Sequence, residues 1–330
     1  ITVPNLDNNT PSGTLSTMTS DDNRTWEGTF TPDNDTEDDN NTLSLATTYT
    51  DLAGNNGPDN QTANYEVETL APTVSSVAIT GAAGVQNSFV NAGDNVSVTA
   101  TFSEAVIVDN ASAVTTTLAV DSDNRTATYT SGDNSTALVF RYTIQSGDTD
   151  TNGISIRENT LDNNSSTIRD PALNNAILTH SAVDNNSSYK VDTTAPSVDN
   201  FTMDDIEIKK HETATVTLEF SEPICAVSSS PFNCLIVFTA GAIDNASGIL
   251  PTMSSSQDND NKTIWTGTFT PTNNFEEDIN RLELNTDYTD LAGNRGPVAQ
   301  TVVYDVDTKP PSVVSFLMDD RTLRRTDNAT

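Results

Sequence analysis

Trp265-Thr266-Gly267-Thr268-Phe269-Thr270-Pro271 repeats Trp26-Glu27-Gly28-Thr29-Phe30-Thr31-Pro32 at a distance of 239 residues. Tyr49-Thr50-Asp51-Leu52-Ala53-Gly54-Asn55 returns unchanged as Tyr288 to Asn294 at the same distance, and so do Tyr65 as Tyr304 and Pro72 as Pro311. A third phrase, Pro196-Ser197-Val198 followed by Met203-Asp204-Asp205, recurs as Pro311-Ser312-Val313 and Met318-Asp319-Asp320. Thr101-Phe102-Ser103-Glu104 echoes Glu219-Phe220-Ser221-Glu222. Self-similarity at fixed spacing means stacked modules, each here large enough to hold its own core.

Three linkers delimit the modules: Val67 to Pro72, Val191 to Pro196 and Val306 to Pro311. Each is the end of an apolar-alternating strand, then an acidic residue and Thr, then Pro, which ends strand pairing and stiffens the joint. The prolines are 124 and 115 residues apart, the size of a β-sandwich. The expected boundaries are residues 1–68, the later part of a domain; 73–192 and 197–307, complete domains; and 312–330, the opening of a further one. Both ends are therefore expected to lie inside domains, with continuing repeats or neighbouring copies of the chain completing them. Residues 1–68 have no equivalent of the strand Val216 to Glu222, which should be a core strand.

Period-2 alternation identifies strands. Val96, Val98, Ala100 and Phe102 face one way, with Ser97, Thr99 and Thr101 opposite. Val216, Leu218 and Phe220 repeat the pattern against Thr215, Thr217 and Glu219. No segment keeps helical periodicity over three turns. The expectation is an all-β chain of tandem sandwiches, joined by short stiff linkers into an elongated rod.

Composition fits. Apolar residues make up only 34%, enough for a thin two-sheet core and arranged in alternating runs that disorder does not produce. The net charge of −32 excludes nucleic acid and anionic membrane as partners, both of which demand a basic face, and suits divalent cations or simple solubility. No apolar run is long enough to insert in a membrane.

Phe-Ser-Glu at 102–104 and 220–222, Thr-Trp-x-Gly-Thr-Phe-Thr-Pro at 25–32 with its variant at 264–271, and Tyr-Thr-Asp-Leu-Ala-Gly-Asn together resemble the bacterial Ig-like tandem repeats of giant extracellular adhesins and surface filament proteins. The middle module lacks the Trp phrase. Its Phe140 to Ile144, Gly147 to Ile156 and Asp170 to Asn175 resemble a sister repeat of long bacterial extracellular proteins. The resemblance implies an extracellular Ig-like stalk or filament with calcium at its module junctions. The matching positions are linker residues Glu68, Asp192 and Asp307; loop pairs Asp51 and Asn55, Asp170 and Asn174, and Asp290 and Asn294; and Glu104 and Glu222. Asp204 and Asp205 are further candidates. Calcium takes six to eight hard oxygens, and a junction can gather them from two modules. Asp and Asn equally suit turns, and Gly54 and Gly293 suit positive φ.

Asn-x-Ser/Thr occurs 17 times, and in 15 the Asn follows Asp directly. With 34 Asp in 330 residues, chance gives about two such coincidences. Asx-turn chemistry explains Asp-Asn but not a hydroxyl fixed at +2; N-glycosylation explains the hydroxyl. The expected glycan acceptors are Asn8, Asn23, Asn34, Asn40, Asn60, Asn95, Asn110, Asn124, Asn134, Asn163, Asn185, Asn200, Asn245, Asn261 and Asn328. Asn164 and Asn186 overlap these sites and lack the preceding Asp.

Cys225 and Cys234 are the only cysteines, and in an exported chain they are expected to form a local disulfide. His180 and His211 carry no motif and are expected at exposed strand or turn positions. No phosphate loop, dinucleotide fingerprint or serine-nucleophile motif occurs, and the carboxylates recur module by module where a catalytic pair would be unique. The expected function is structural, not enzymatic. The alternative is a module binding a host or surface glycan or a receptor, which calls for one distinctive aromatic-rich loop; Trp26 and Trp265 are instead equivalent positions expected in the core.

Overall fold

Strand after strand, the alternation read from the sequence becomes the burial pattern. A computed structural model describes residues 12–226, 238–239, 243–245, 247–255, 263–284, 288–297, 300–319 and 321–327. The chain forms two contact units: Ile1–Gly84 with Ala92–Val191, and Val85–Asn91 with Asp192–Thr330. Apart from a single 3₁₀ turn at Ala111–Ala113, the regular structure among the described residues is all strand.

In the second unit, one sheet runs in the order Val198–Met203, Ala214–Phe220, Ile264–Pro271, Gly248–Ile249. The other runs Glu207–Lys209, Thr301–Asp307, Glu276–Leu284, Ile243–Asn245. Pairing is antiparallel except between Glu207–Lys209 and Thr301–Asp307. One apolar cluster joins Val216, Leu218, Trp265 and Phe269 of the first sheet to Leu282, Tyr304 and Val306 of the second. This is a β-sandwich, with alternate residues of facing sheets forming the core. Trp265 sits opposite Leu218 in the ladder, and the Phe269 ring meets Tyr304 edge to face, centroids 5.1 Å apart. Gly248 is obligatory: a Cβ there would fall 2.2 Å from the Phe269 ring.

The first unit is built on the fifteen-residue strand Asn95–Asp109. Val74–Ala83 and Ser135–Thr143 flank its first half, and Thr167–Arg169 pairs with its end. Asp123–Ser131, Thr115–Val120 and Ser155–Ile156 extend the sheet. Val96, Val98, Ala100, Phe102, Val106 and Val108 are buried.

Residues 12–68 of the same unit form three two-stranded ladders: Gly13–Leu15 with Phe30–Pro32, Glu37–Asn41 with Tyr65–Glu68, and Ser44–Leu45 with Asn60–Gln61. The details duplicate the later repeat. Phe30 meets Tyr65 edge to face at 5.4 Å, and Gly13 stands under Phe30 as Gly248 stands under Phe269. Ser12-Gly13 and Ser247-Gly248 are thus a further repeated phrase, hidden in the sequence because the intervening loop differs in length by four residues. Burial departs from expectation at one framework position. Trp26 is 55% exposed where Trp265 is 1% exposed, because no described strand covers it as Ala214–Phe220 covers Trp265.

Candidate functional site

The strands Asn95–Asp109 and Ala214–Phe220 share an anomaly, inside the first and just past the end of the second. Phe102, Glu104 and Val106 lie on the core-facing parity of one strand, and Phe220, Glu222 and Ile224 continue the core-facing parity of the other. Each Phe-Ser-Glu phrase therefore puts a carboxylate where alternation calls for an apolar side chain. A local rule broken in the same way in both strands is what a functional or strained position produces.

In the second unit, Glu222 meets Asp192 and Asp290, and one oxygen from each of the three lies within 4.8 Å of the others. Asp290 is buried, 1% exposed. The loop holding it closes on itself. Asp290 N–H donates to the Asn294 carbonyl (3.0 Å), Asn294 N–H donates to Asp290 Oδ1 (2.8 Å), and Asn294 Nδ2 donates to Asp290 Oδ2 (2.7 Å). The same Nδ2 donates to the backbone carbonyl of Asp192 (2.9 Å), so the loop grips the linker. Gly293 has φ +91°, which glycine adopts without strain. Asn87 Nδ2 and Asn91 Nδ2 donate to the carbonyls of Leu291 and Ala292 in this loop at 2.9 Å each. No sequence signal pointed to these two asparagines.

The first unit repeats the loop clasp with Glu68, Asp170 and Asn174, and Glu104 stands near enough to Asp170 and Glu68 to feel their charge; among the described residues the only trio whose carboxylate oxygens lie within 4.8 Å of one another is Asp192, Glu222 and Asp290. Asn174 N–H donates to Asp170 Oδ1 (2.8 Å), and its Nδ2 donates to Asp170 Oδ2 (2.7 Å) and to the Glu68 carbonyl (3.3 Å). Leu173 takes the place of the glycine and has φ +77°, a strained conformation for leucine. Asp51 and Asn55 form the loop a third time, with Asn55 N–H and Nδ2 both donating to the Asp51 carboxylate at 2.9 Å. The carbonyl gripped in the first unit belongs to Glu68 and in the second to Asp192, so the Glu-for-Asp change leaves the clasp intact.

The electrostatics follow from crowding. Burial first, then Asp290 and Asp192, push Glu222 up to about 7. Burial raises Asp290 against the lowering effect of the Asn294 bonds. Glu104 is raised by burial and by Asp170, Glu68 and Glu37. Among the described residues no Lys, Arg or His ion pair reaches these carboxylates. Crowded carboxylates that include the raised Glu222 and Asp290, with no protein cation beside them, fit a hard divalent ion, which supplies positive charge without needing a hydrogen-bond donor.

The other sequence candidates fall elsewhere. Asp307 Oδ1 accepts from Lys309 N–H at the exposed end of its strand. Asp204 Oδ1 accepts from Thr215 N–H (2.6 Å), which holds its carboxyl low, and Asp205 caps Glu207 N–H; both serve turns. Cys225 lies in the strand Ile224–Ala226, opposite Thr289, while Cys234 lies outside the described residues. His211 is exposed at a turn, φ +73°. His180 is half-buried, its Nε2 accepting from Thr160 N–H at 2.9 Å, so it is a structural acceptor. Asn8, Asn261 and Asn328 lie outside the described residues.

A family model described as a bacterial Ig-like domain matches residues 3–67 and 192–306, more than half of the chain. These are the two stretches that carry the Trp phrase. No curated protein matches. Among solved structures, an Escherichia coli adhesin, FdeC, matches at 13% identity over 89% of this chain and 82% of its own, with a TM-score of 0.31. The N-terminal part of the bacterial S-layer protein SbsC matches at 15% identity over 72% and 44%, with a TM-score of 0.17.

Proposed function

From a chain that belongs to the bacterial Ig-like domain family, we propose a structural repeat region of an extracellular stalk or filament, in which calcium locks successive modules. One observation carries this reading. In each unit the carbonyl of an acidic linker residue, Glu68 or Asp192, accepts from the Asn of an Asp-x-x-x-Asn loop of that unit, whose Asp and Asn side chains are bonded in the same way. A catalytic site has no reason to recur at each joint. A joint does, because a rod is only as stiff as its repeated linkage.

In the second unit Asp192, Glu222 and Asp290 would hold the ion; in the first, Glu68, Glu104 and Asp170. The ion would supply the positive charge that offsets carboxylate repulsion. Asn294 and Asn174 orient the Asp side chains and hold the linker whether or not the ion is bound. Strand donation between copies or continuing repeats would cover Trp26, and N-linked glycans at the Asp-Asn-x-Ser/Thr sites would solvate the surface and shield sheet edges.

The test is to remove and restore calcium while following particle length by small-angle scattering and unfolding by calorimetry. The reading expects a shorter, less stable particle after chelation and recovery with calcium. Unchanged length and unchanged melting would refute the calcium joint.

A further inference from the structure

The described Asp-Asn-x-Ser/Thr sites fall mainly on two kinds of backbone, with Asn34, Asn163 and Asn185 in neither. Asn23, Asn110 and Asn134 stand at turn tips with φ of +56°, +52° and +57°. Asn95, Asn124 and Asn200 lie in strands that also hold the hydroxyl residue at +2, whereas the strands of Asn40, Asn60 and Asn245 end before it. Turn chemistry accounts for the first kind only. Asp and Asn are depleted in strands, so their pairing there, with a hydroxyl at +2, is not something the sheet requires. Among the eleven sites whose exposure is described, none is buried; Asn95 and Asn163 are half-buried and the others exposed. In a strand, Asn and the residue at +2 share a face, as Asn95 and Ser97 or Asn124 and Thr126 do here.

We propose that strand sites are glycosylated before their sheets close, and turn sites at any stage. The inference rests on N-glycosylation of the chain and adds the order of events. In the transfer, Asn Nδ2 bonds to the anomeric carbon of a lipid-diphosphate-linked sugar. The bond from that carbon to the diphosphate breaks, the lipid diphosphate leaves with its electron pair, and one amide proton passes to a base of the transferase. A transferase that reads both Asn and hydroxyl must bring them together. In extended backbone, residues two apart are separated by about 6.5–7 Å, beyond hydrogen-bond reach. The segment must bend, and a paired strand cannot.

Asn95 is the sharpest case. Its strand is paired on both sides there, to Ala83 and to Thr143. After folding, the site tolerates a sugar: Thr143 Oγ1 donates to Asn95 Oδ1 at 2.8 Å, while Nδ2 has no protein acceptor among the described residues. Asn164 is the converse. Its Nδ2 donates to the Ala113 carbonyl and to Thr115 Oγ1, both at 2.9 Å, whereas a glycosylated amide keeps a single N–H. It is also one of the two sequon asparagines that no Asp precedes.

The experiment compares site occupancy by glycopeptide mass spectrometry in two preparations. One is the chain purified from cells that express its transferase; the other is unmodified, folded chain treated with a bacterial oligosaccharyltransferase and lipid-linked oligosaccharide. The expected result is sugar on Asn95, Asn110 and Asn134 in the first preparation and loss of the Asn95 glycopeptide in the second, with Asn164 bare in both. Asn95 bare in cells while turn sites are occupied, or Asn95 modified on the folded chain, overturns the proposed order but leaves glycosylation standing. Bare-chain mass in both preparations overturns the order and glycosylation together.

Discussion

Residues 12–68 and 247–307 carry the same phrases and different cores. Trp265 and Tyr288 are 1% and 0% exposed; Trp26 and Tyr49 are 55% and 41% exposed. The local geometry is nevertheless shared: the edge-to-face Phe–Tyr pair, the glycine beneath the ring and the self-closed Asp–Asn loop all recur. The difference is the pair of strands Ala214–Phe220 and Ile224–Ala226, which lie against Trp265 and Tyr288. The phrase specifies ring packing within its own ladders. Burial of the tryptophan is set by a segment some fifty residues earlier in the sequence. The opening segment of a module shows the reverse: Val198 and Phe201 pack against the core, while their equivalents Val313 and Phe316 are exposed.

The comparison can be broken most directly at the tryptophans. Trp265→Ala is expected to cost the second unit about 3–5 kcal/mol, and Trp26→Ala under about 1 kcal/mol, by urea denaturation. Equal costs would mean that another segment closes residues 12–68 in solution. Gly248→Ala drives a Cβ into the buried Phe269 ring and the Thr270 carbonyl, a loss of about 1–3 kcal/mol; Gly13→Ala meets the equivalent Phe30 ring and Thr31 carbonyl and should lose less, because the half-buried Phe30 has less packing to lose. Circular-dichroism melts of the two variants give the ranking.

The clasp is next. Asn294→Ala removes two donors and leaves buried Asp290 under-satisfied, an expected loss of about 1–3 kcal/mol, against about 0.5 kcal/mol for exposed Asn55→Ala. Calorimetry showing equal losses would mean that the linker grip contributes nothing.

The pH dependence is smaller. The folded-state affinity of Glu222 for a proton is raised, so its stabilising contribution is complete below its ordinary value of 4.5 and is lost as pH rises through about 7. With chelator, the second unit should gain about 1–2 kcal/mol between about pH 8 and 5.5 after solvent screening. Glu222→Gln should remove that increment, and so should calcium. An identical pH profile in the Gln variant would exclude Glu222 as its source. The smallest expected effect is at Leu173, where Leu173→Gly relieves positive-φ strain and raises first-unit stability by about 0.5 kcal/mol in thermal melts, net of backbone entropy.

Much of the clasp was legible before folding was considered. Glu68 and Asp192 in the linkers, the loop pairs Asp170 and Asn174, and Asp290 and Asn294, and Glu104 and Glu222 of the Phe-Ser-Glu phrases were legible as the positions that the resemblance to calcium-bearing repeats implied. The contributions of Asn87 and Asn91 were not, because a single amide in an ordinary loop has no pattern until the chain brings a carbonyl to it.

The sequence by itself determined the strands, the module spacing and the Asp-Asn-x-Ser/Thr pattern, since periodicity and repetition are local properties. Tertiary structure alone decided that Trp26 is exposed while Trp265 is buried, and that Glu222 shares its space with Asp192 and Asp290. Burial and electrostatic crowding depend on which distant segments come together. Thirty residues separate Asp192 from Glu222, and 68 more separate Glu222 from Asp290; only the sandwich puts the three within 4.8 Å of one another.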